Sequence, residues 1–311
     1  MRTRLALAAP TVAVLAAALL AGCADDSTTT GPGASAAPEP TSSISTLSPI
    51  AMPSIGPPPG EIVADLRQSS RDAALGRFQV WVGNGMDHDL DPRAISYADP
   101  RFRAPIPGER LRVNPAGSER GYPLALPPRP DCDAPTGPGT HGTVTMRDAT
   151  HGTVTVRVED EADVVQRYVA TRCFELAVDR VATLSFADEV PVDHEGEGSV
   201  GQLVLVATPS GRPGGGVLTV DTVGGTPLLT PDGESVWRPG LRVRSTDEPQ
   251  RVELPMVPAR CDDHVFMESG GATAFRVRLH LDGEPGELVV RMSSAGAAAA
   301  IGFARDSCGL G

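Results

Sequence analysis

The chain has 311 residues with 27 basic and 39 acidic side chains, which gives a formal net charge of −12 at pH 7. Every basic side chain is an arginine, because the sequence contains no lysine. P-loop, Schiff-base and Ser-x-x-Lys chemistries each need a lysine, so the composition excludes them. The acidic excess also disfavours nucleic acid as a partner of the folded part, since both would carry negative charge.

The N-terminus has the pattern of an export signal. Arg2 and Arg4 precede the apolar run 5–20, and the small residues that follow end in Leu-Ala-Gly-Cys at Cys23. A charged start, a short apolar core and small residues before a cleavage site are typical of a secretory signal peptide, here residues 1–22. The apolar run is barely long enough for the alternative, an uncleaved transmembrane anchor.

The cysteine after Ala-Gly resembles the lipobox of bacterial lipoproteins. The resemblance implies that the signal is cleaved just before Cys23 and that a lipid with acyl chains such as palmitate is attached to its sulfur. Each buried acyl CH₂ contributes about 0.8 kcal/mol, so two or more chains anchor a protein durably. We therefore expect the mature protein on the outer face of the cell membrane, with the membrane as a partner through the anchor.

Residues 24–60 predict a disordered tether. Eight prolines and many Ser, Thr, Gly and Ala residues fill these 37 positions. Such a composition buries too little apolar surface to offset the entropy of ordering. Together with the lipidated Cys23, the segment 23–60 is expected to let the folded part stand on the order of 35 Å from the membrane.

From residue 61 onward, alternation of apolar and polar positions predominates. The exception is 61–75, where the spacing of Ile62 and Leu66 predicts a short helix. Period-two runs broken by Gly, Pro and Asp are typical of half-buried antiparallel strands. The predicted strands lie at 77–84, 153–160, 201–208, 216–223, 250–257, 275–283 and 286–293. These short strands predict a mainly β fold of two immunoglobulin-like antiparallel β-sandwich modules with short helices.

The two halves repeat one order of features, which predicts modules at 61–190 and 191–311. Each half has a strand with Leu-Pro, a cysteine, a loop, an alternating strand and a helix-prone stretch that ends in a second cysteine. The helix-prone stretches are 161–173 and 293–308. A smaller repeat, His-Gly-Thr-Val-Thr at 141 and again at 151, has the offset of a hairpin with two similar strands.

Four cysteines remain besides Cys23, and an even number in an exported protein indicates disulfides. Three pairings are open to four cysteines. The repeat selects one pairing, since each module has one cysteine after its Leu-Pro strand and one near its end. The predicted bonds are Cys132–Cys173 and Cys261–Cys308.

The segment Val-Pro-Ala-Arg-Cys-Asp-Asp-His at 257–264 raises the question of a metal site, with His264 and Met267 as candidate ligands. Structural zinc sites show paired Cys or paired His at short spacing, and neither occurs here. The matching stretch of the first half has no histidine, so a metal role common to both modules is excluded. An Asp beside the cysteine is better explained as a turn former that accepts backbone N–H bonds.

Met86 and His88 form a second candidate, in the segment 83–91 with its three alternating aspartates. The aspartate spacing does not fit an EF-hand loop, which needs Gly at position 6 and Glu at position 12. Because the segment follows a strand and contains Asn-Gly, a solvated hairpin turn is the preferred interpretation. We therefore predict no metal and no other cofactor, and keep His264, Met267, Met86 and His88 as the candidates of a metal-binding alternative.

The pattern Arg-Cys-Asp-x-His, formed by Arg260, Cys261, Asp262 and His264, resembles a group of uncharacterised secreted or lipid-anchored proteins of high-GC Gram-positive bacteria. The resemblance implies a shared architecture over residues 61–311 and no particular activity.

The chain has neither a Gly-x-Ser-x-Gly nor a His-Glu-x-x-His motif, and its six histidines are scattered singly. We therefore interpret it as a non-enzymatic binding or scaffold module of the cell envelope that acts on an envelope protein or ligand. The first alternative is a copper or zinc chaperone, and the second is a hydrolase with an unfamiliar site.

Cys23→Ser should abolish lipidation, because a hydroxyl oxygen does not replace the thiol as lipid acceptor in this chemistry. We expect the variant to accumulate as an uncleaved precursor or to be released from the cell, as measured by detergent phase partitioning and by the mass of the N-terminal peptide. A variant that still partitions into detergent with its signal removed would contradict the lipobox interpretation.

Overall fold

A computed structural model describes residues 56–135, 140–267 and 271–310. The signal peptide, Cys23 and most of the predicted tether lie outside the described residues. Within these ranges the chain forms sixteen strands and four helices. No helix among them is long and apolar enough to cross a membrane. The predicted class, mainly β with short helices, is confirmed, and the second half has the two sheets of a β-sandwich.

The first half is one seven-stranded sheet of order β4-β3-β6-β7-β1-β2-β5. The β1–β7 pair is parallel and the other pairs are antiparallel. A bridge between Gly108, just after β4, and Leu124 on β5 joins the two ends, so the sheet closes around one core. The strands are β1 Ile62–Arg67, β2 Arg77–Asn84, β3 Pro92–Ala98, β4 Ile106–Pro107, β5 Ser118–Ala125, β6 Thr143–Asp148 and β7 Thr153–Glu159.

The second half has two sheets that enclose a second core. One sheet has the order β12-β10-β15-β16, with β13 also paired to β10, and the other has the order β11-β14-β9-β8. The strands are β8 Ala182–Phe186, β9 Gly201–Pro209, β10 Val217–Gly224, β11 Leu229–Thr230, β12 Val236–Trp237, β13 Leu241–Arg244, β14 Gln250–Pro258, β15 Ala274–Leu281 and β16 Glu284–Arg291.

The helices are α1 Ser70–Ala74, α2 Val164–Asp179, α3 Asp263–Met267 and α4 Ser294–Ser307. Helix α2 begins where the Asp160 carboxylate accepts the N–H groups of Val164 and Val165, at 2.7 and 3.1 Å. Such a carboxylate satisfies donors that have no partner inside the helix. Val165 lies in the first core and Val178 in the second, so one helix contributes to both.

The cores divide within α2, before the boundary that the sequence predicted after residue 190. Strand β8 precedes that boundary, yet it pairs with β9 of the second half. Val178, Val181 and Phe186 all belong to the second core. The described residues nevertheless form one compact unit by their contacts, because α2 runs from one core to the other.

The predicted helix over 61–75 is wrong. Residues 62–67 form the inner strand β1, and only Ser70–Ala74 are helical. Ala64 and Leu66 are buried on one side of the strand, whereas Leu75 is 57% exposed. Apolar residues spaced four apart in a short segment are compatible with both a helix and a strand. Here the segment forms a strand because it pairs with β2 and β7.

The other strand and helix predictions agree closely with the structure. The ten-residue repeat forms the antiparallel hairpin β6–β7, in which Thr145 lies opposite Thr155. Both halves also share an order of elements: a strand, a cysteine, a hairpin and a helix that carries or directly precedes the second cysteine. The sheets differ, since β5 lies in the same sheet as its hairpin and β14 does not.

Candidate functional site

Cys132 and Cys173 are bonded, as the sequence predicted, with their Cα atoms 5.6 Å apart. The bond ties the loop after β5 to helix α2. Two hydrogen bonds fasten the same loop: the Tyr168 hydroxyl donates to the carbonyl of Pro127, and Arg172 Nε donates to the carbonyl of Pro128 at 2.8 Å. The loop is therefore held against α2.

The second predicted bond, Cys261–Cys308, is also present, with a Cα–Cα distance of 5.4 Å. It joins the segment before α3 to the residue that follows α4. Asp262 acts as the predicted turn former, because its Oδ1 accepts the N–H of Val265 at 3.2 Å. Val265 is buried in the second core, so this turn seals one end of it.

His264 lies exposed on α3, and it belongs to no group of three or more His, Cys, Asp or Glu side chains that could hold a metal ion in the described part of the chain. The side chain of Met267, its proposed co-ligand, lies outside the described part of the structure. The segment 257–264 therefore contributes one cysteine, Cys261, to a disulfide.

The predicted hairpin turn at 83–91 is wrong. Strands β2 and β3 on either side of it do not pair with each other. Asn84 is fully buried, and its side-chain amide donates to the carbonyls of His88 and Asn114 at 3.0 and 2.9 Å. The Asn84 amide thus holds the loop between β2 and β3 in place from a buried position. Local turn statistics do not reveal such a long-range contact.

His88 meets a partner that the sequence did not suggest. Its ring stacks on that of His151, in the β6–β7 turn, with centroids 3.8 Å apart and planes inclined by 28°. The Nδ1 of His88 lies 3.0 Å from Asp87, and the Nδ1 of His151 lies 3.0 Å from Asp148. Among the described residues, no three His, Cys, Asp or Glu side chains here or elsewhere are placed to hold a metal ion.

Asp148 is a buried structural carboxylate. It accepts the backbone N–H groups of Asp91, Thr150 and His151 at 2.5 to 2.9 Å. These donors favour the ionised form and hold the pKa of Asp148 well below its usual range, against the opposing effect of burial. The carboxylate joins the loop before β3 to the β6–β7 turn.

The other buried charges have similar roles. Arg101 grips Asp99 with two hydrogen bonds of 2.8 Å, and the Tyr97 hydroxyl donates to the same carboxylate at 2.7 Å. Asp72 accepts from Ser69, Arg77 and Gln79, which lowers the pKa of Asp72 to about 2 although burial acts to raise it. Each carboxylate has its partners and fixes a loop or a helix end.

One cleft is lined by several arginines. Arg103, Arg129, Arg180 and Arg212 line a cavity of about 600 Å³ beside the Cys132–Cys173 bond, and we call it the arginine cleft. Asp131, Asp133 and Asp179 line it too, which leaves one positive charge in excess. All four arginines are exposed, and no ion pair or side-chain hydrogen bond joins their guanidinium groups to another residue that the structure describes.

Sequence reasoning missed these four arginines. They come from four separate segments spread over residues 103–212, and no local spacing connects them. The one available signal was the disulfide, which placed the loop around Arg129 beside α2.

Two other clefts are relevant. One of about 670 Å³ lies between the loop at 192–199 and the end of α4, and is lined by His194, Glu195, Glu197 and Asp306. Another, of about 380 Å³, contains His280, whose Nδ1 lies 2.7 Å from Asp221 across the strand pair β10–β15. That contact joins two neighbouring strands of the sheet.

Comparison with known proteins gives no family for this chain. No family and no curated protein matches it. Among solved structures, calcium binding domain CBD12 of CALX1.1 aligns over 70% of this chain and 76% of its own at 14% identity, with a TM-score of 0.17. CBD12 from CALX1.2 aligns over 70% and 79% at 13% identity, also with a TM-score of 0.17.

Cys261→Ala should destabilise the protein by about 2–5 kcal/mol, the usual loss for a native disulfide in an exported domain. His264→Ala, an exposed change three residues away, should shift the free energy of unfolding by less than about 0.5 kcal/mol. Urea unfolding of the full chain measures both, and Cys261→Ala/Cys308→Ala controls for the free thiol. Equal losses for Cys261→Ala and His264→Ala would point to a shared metal site instead.

Asp148→Asn should destabilise the protein at pH 7 by about 1–3 kcal/mol, because an amide cannot accept all the N–H groups that the carboxylate does. The folded pKa of Asp148 lies below that of the unfolded chain. Its contribution is therefore complete above about pH 4 to 5 and is lost as pH falls towards the folded pKa. Unfolding measured from pH 7 to 2 should show a weaker acid dependence in the variant, whereas the exposed Asp232→Asn should leave it unchanged.

Proposed function

We propose that the protein is a membrane-anchored extracytoplasmic lipoprotein that acts as a non-enzymatic binding module of the cell envelope. The observation that carries the proposal is a separation within the described residues. The buried carboxylates with lowered pKa values, Asp72, Asp99 and Asp148, fix loops or a helix end and line none of the clefts. An enzyme that uses acid–base chemistry needs a shifted pKa and a cleft in one place.

The buried ionisable groups also support the binding interpretation, because they have structural roles. Tyr122 has its pKa raised to about 12 by burial, and its hydroxyl donates to the carbonyl of Arg112 at 2.9 Å. Like Asp72, Asp99 and Asp148, it is committed to holding the scaffold. The ionisable groups exposed in the clefts are charged side chains that a ligand can contact.

The anchor and the tether rest on the sequence alone. A lipid on Cys23 followed by a proline-rich segment would hold the folded part outside the membrane but near it. The acidic surface fits this position, since it would not adhere to anionic headgroups. A binding module held in this way would act on components of the envelope that lie within reach of the tether.

Two alternative functions can each be assigned to specific residues. The metal chaperone uses Met86 and His88, now joined by His151, but both Nδ1 atoms already face carboxylates. The hydrolase would use His280 with Asp221. Their substitution to alanine therefore belongs in the test of function.

Purified full-length protein in detergent should sediment with washed cell-wall material, which holds no membrane for the lipid to enter. We expect saturable binding with no soluble product released over time. Protein that is reduced and alkylated serves as the control and should lose binding. Product release that grows linearly with time and is lost in His280→Ala would make the hydrolase correct, and no sedimentation at any concentration would reject a wall-binding module.

Tight binding of Cu(II) or Zn(II) in a titration, lost in His88→Ala or His151→Ala, would favour the chaperone. The same titration with His264→Ala tests the second candidate segment. Under the binding-module proposal neither metal binds tightly, because the described residues do not assemble three ligands.

A further inference from the structure

We infer that the arginine cleft binds a hydroxylated oxyanion, that is, a ligand that carries phosphate or carboxylate groups next to hydroxyl groups. The inference rests on the proposed binding function and names its ligand class. Arg103, Arg129, Arg180 and Arg212 would hold the oxyanion, and the aspartates of the cleft would accept the hydroxyl groups.

The first argument is the free state of the four guanidinium groups. Several arginines elsewhere pair with carboxylates, as Arg77 does with Asp72 at 2.8 Å and Arg276 with Glu287 at 2.8 Å. In the arginine cleft three aspartates are present, yet none lies within ion-pair distance of an arginine there. The donors thus stay open to a ligand, and the planar guanidinium fork matches the two oxygens of a phosphate or carboxylate.

The second argument is the overall charge. A chain of net charge −12 repels anions from most of its surface. The arginine cleft has an excess of positive charge, so it attracts anions locally. The low-dielectric walls of a cleft strengthen the electrostatic field inside it. An anion that reaches this protein is therefore directed to the arginine cleft.

The aspartates narrow the ligand class. Asp131, Asp133 and Asp179 would repel a densely charged polyanion, which works against nucleic acid. Carboxylates accept hydrogen bonds from hydroxyl groups, so they suit a ligand that alternates charged and hydroxylated parts. Glycerol phosphates and uronates are small molecules with that chemistry.

The third argument is that the walls of the cleft are fixed in place. The Cys132–Cys173 bond holds the Arg129 loop on α2. The N–H of Asp131 donates to the carbonyl of Arg101 at 2.9 Å, which joins that loop to the segment carrying Arg103.

The remaining wall is tied to the end of α2. The Ser210 hydroxyl donates to the carbonyl of Arg180 at 2.6 Å, and the Ser210 N–H donates to that of Val181 at 2.9 Å. These bonds hold the loop of Arg212 next to Arg180. A site whose supporting backbone is already ordered loses less entropy when its ligand binds.

Titration calorimetry on the full-length protein in detergent tests the inference with three probes: glycerol 3-phosphate, glucuronate and uncharged glycerol. We expect saturable binding of at least one oxyanion and none of glycerol, with affinity that falls as salt rises. The two charged probes separate phosphate from carboxylate as the preferred group.

Arg129→Gln and Arg180→Gln should each weaken binding about tenfold, the loss expected for one charge-assisted hydrogen bond. Arg251→Gln is the matched control, because Arg251 is exposed on β14 and lines none of these clefts. It should leave the affinity unchanged. Cys132→Ala/Cys173→Ala should also weaken binding, because the disulfide holds the Arg129 loop on α2, and circular dichroism should confirm that the β-sheet signal persists.

The inference is overturned if neither oxyanion binds up to roughly 10 mM, or if Arg251→Gln weakens binding as much as Arg129→Gln. Its failure is distinct from failure of the proposed function. If Arg129→Gln/Arg180→Gln sediments with cell-wall material as the unchanged protein does, the module binds through another surface and the ligand class is wrong. If the unchanged protein does not sediment but binds an oxyanion, the cleft is correct and the wall is the wrong partner.

Discussion

Helix α2 holds the fold together, because its two ends belong to different hydrophobic cores. Val165 is buried among the strands of the first half, and Val178 among those of the second. Between them Phe174 lies so close to β16 that a Cβ at Gly286 would come within 2.0 Å of its ring, which leaves glycine as the residue that fits there. The disulfide at Cys173 adds a covalent link from the same helix to the first half.

The proposed ligand site, the arginine cleft, depends on this arrangement. Loops from both halves converge on α2 and on the residues that follow its end, and hydrogen bonds hold each of them there. The arginine cleft is formed by that convergence. Its shape depends on the helix and the disulfide rather than on a loop of its own, so a change that loosens α2 would alter the cleft and both cores together.

Buried carboxylates explain how so many loops are held in order. A loop that packs against a core must satisfy its backbone N–H groups, and water is excluded there. Asp148 accepts three such groups, and Asp99 accepts from a buried arginine and a tyrosine. The cost of burying each charge is offset by these bonds, and removal of one partner leaves the other buried and unsatisfied. These carboxylates, whose pKa values are lowered, therefore have a structural role.

The sequence by itself determined the β class, most of the longer strands, the two longer helices and both disulfides, because period-two burial and cysteine order are local properties. It misjudged 61–75, where one apolar spacing fits two structures, and 83–91, where the Asn84 amide is used for a buried contact 30 residues away. The parallel β1–β7 pair and the arginine cleft were decided by tertiary structure alone. Closure of a sheet and the docking of distant loops on α2 bring together residues that no sequence interval relates.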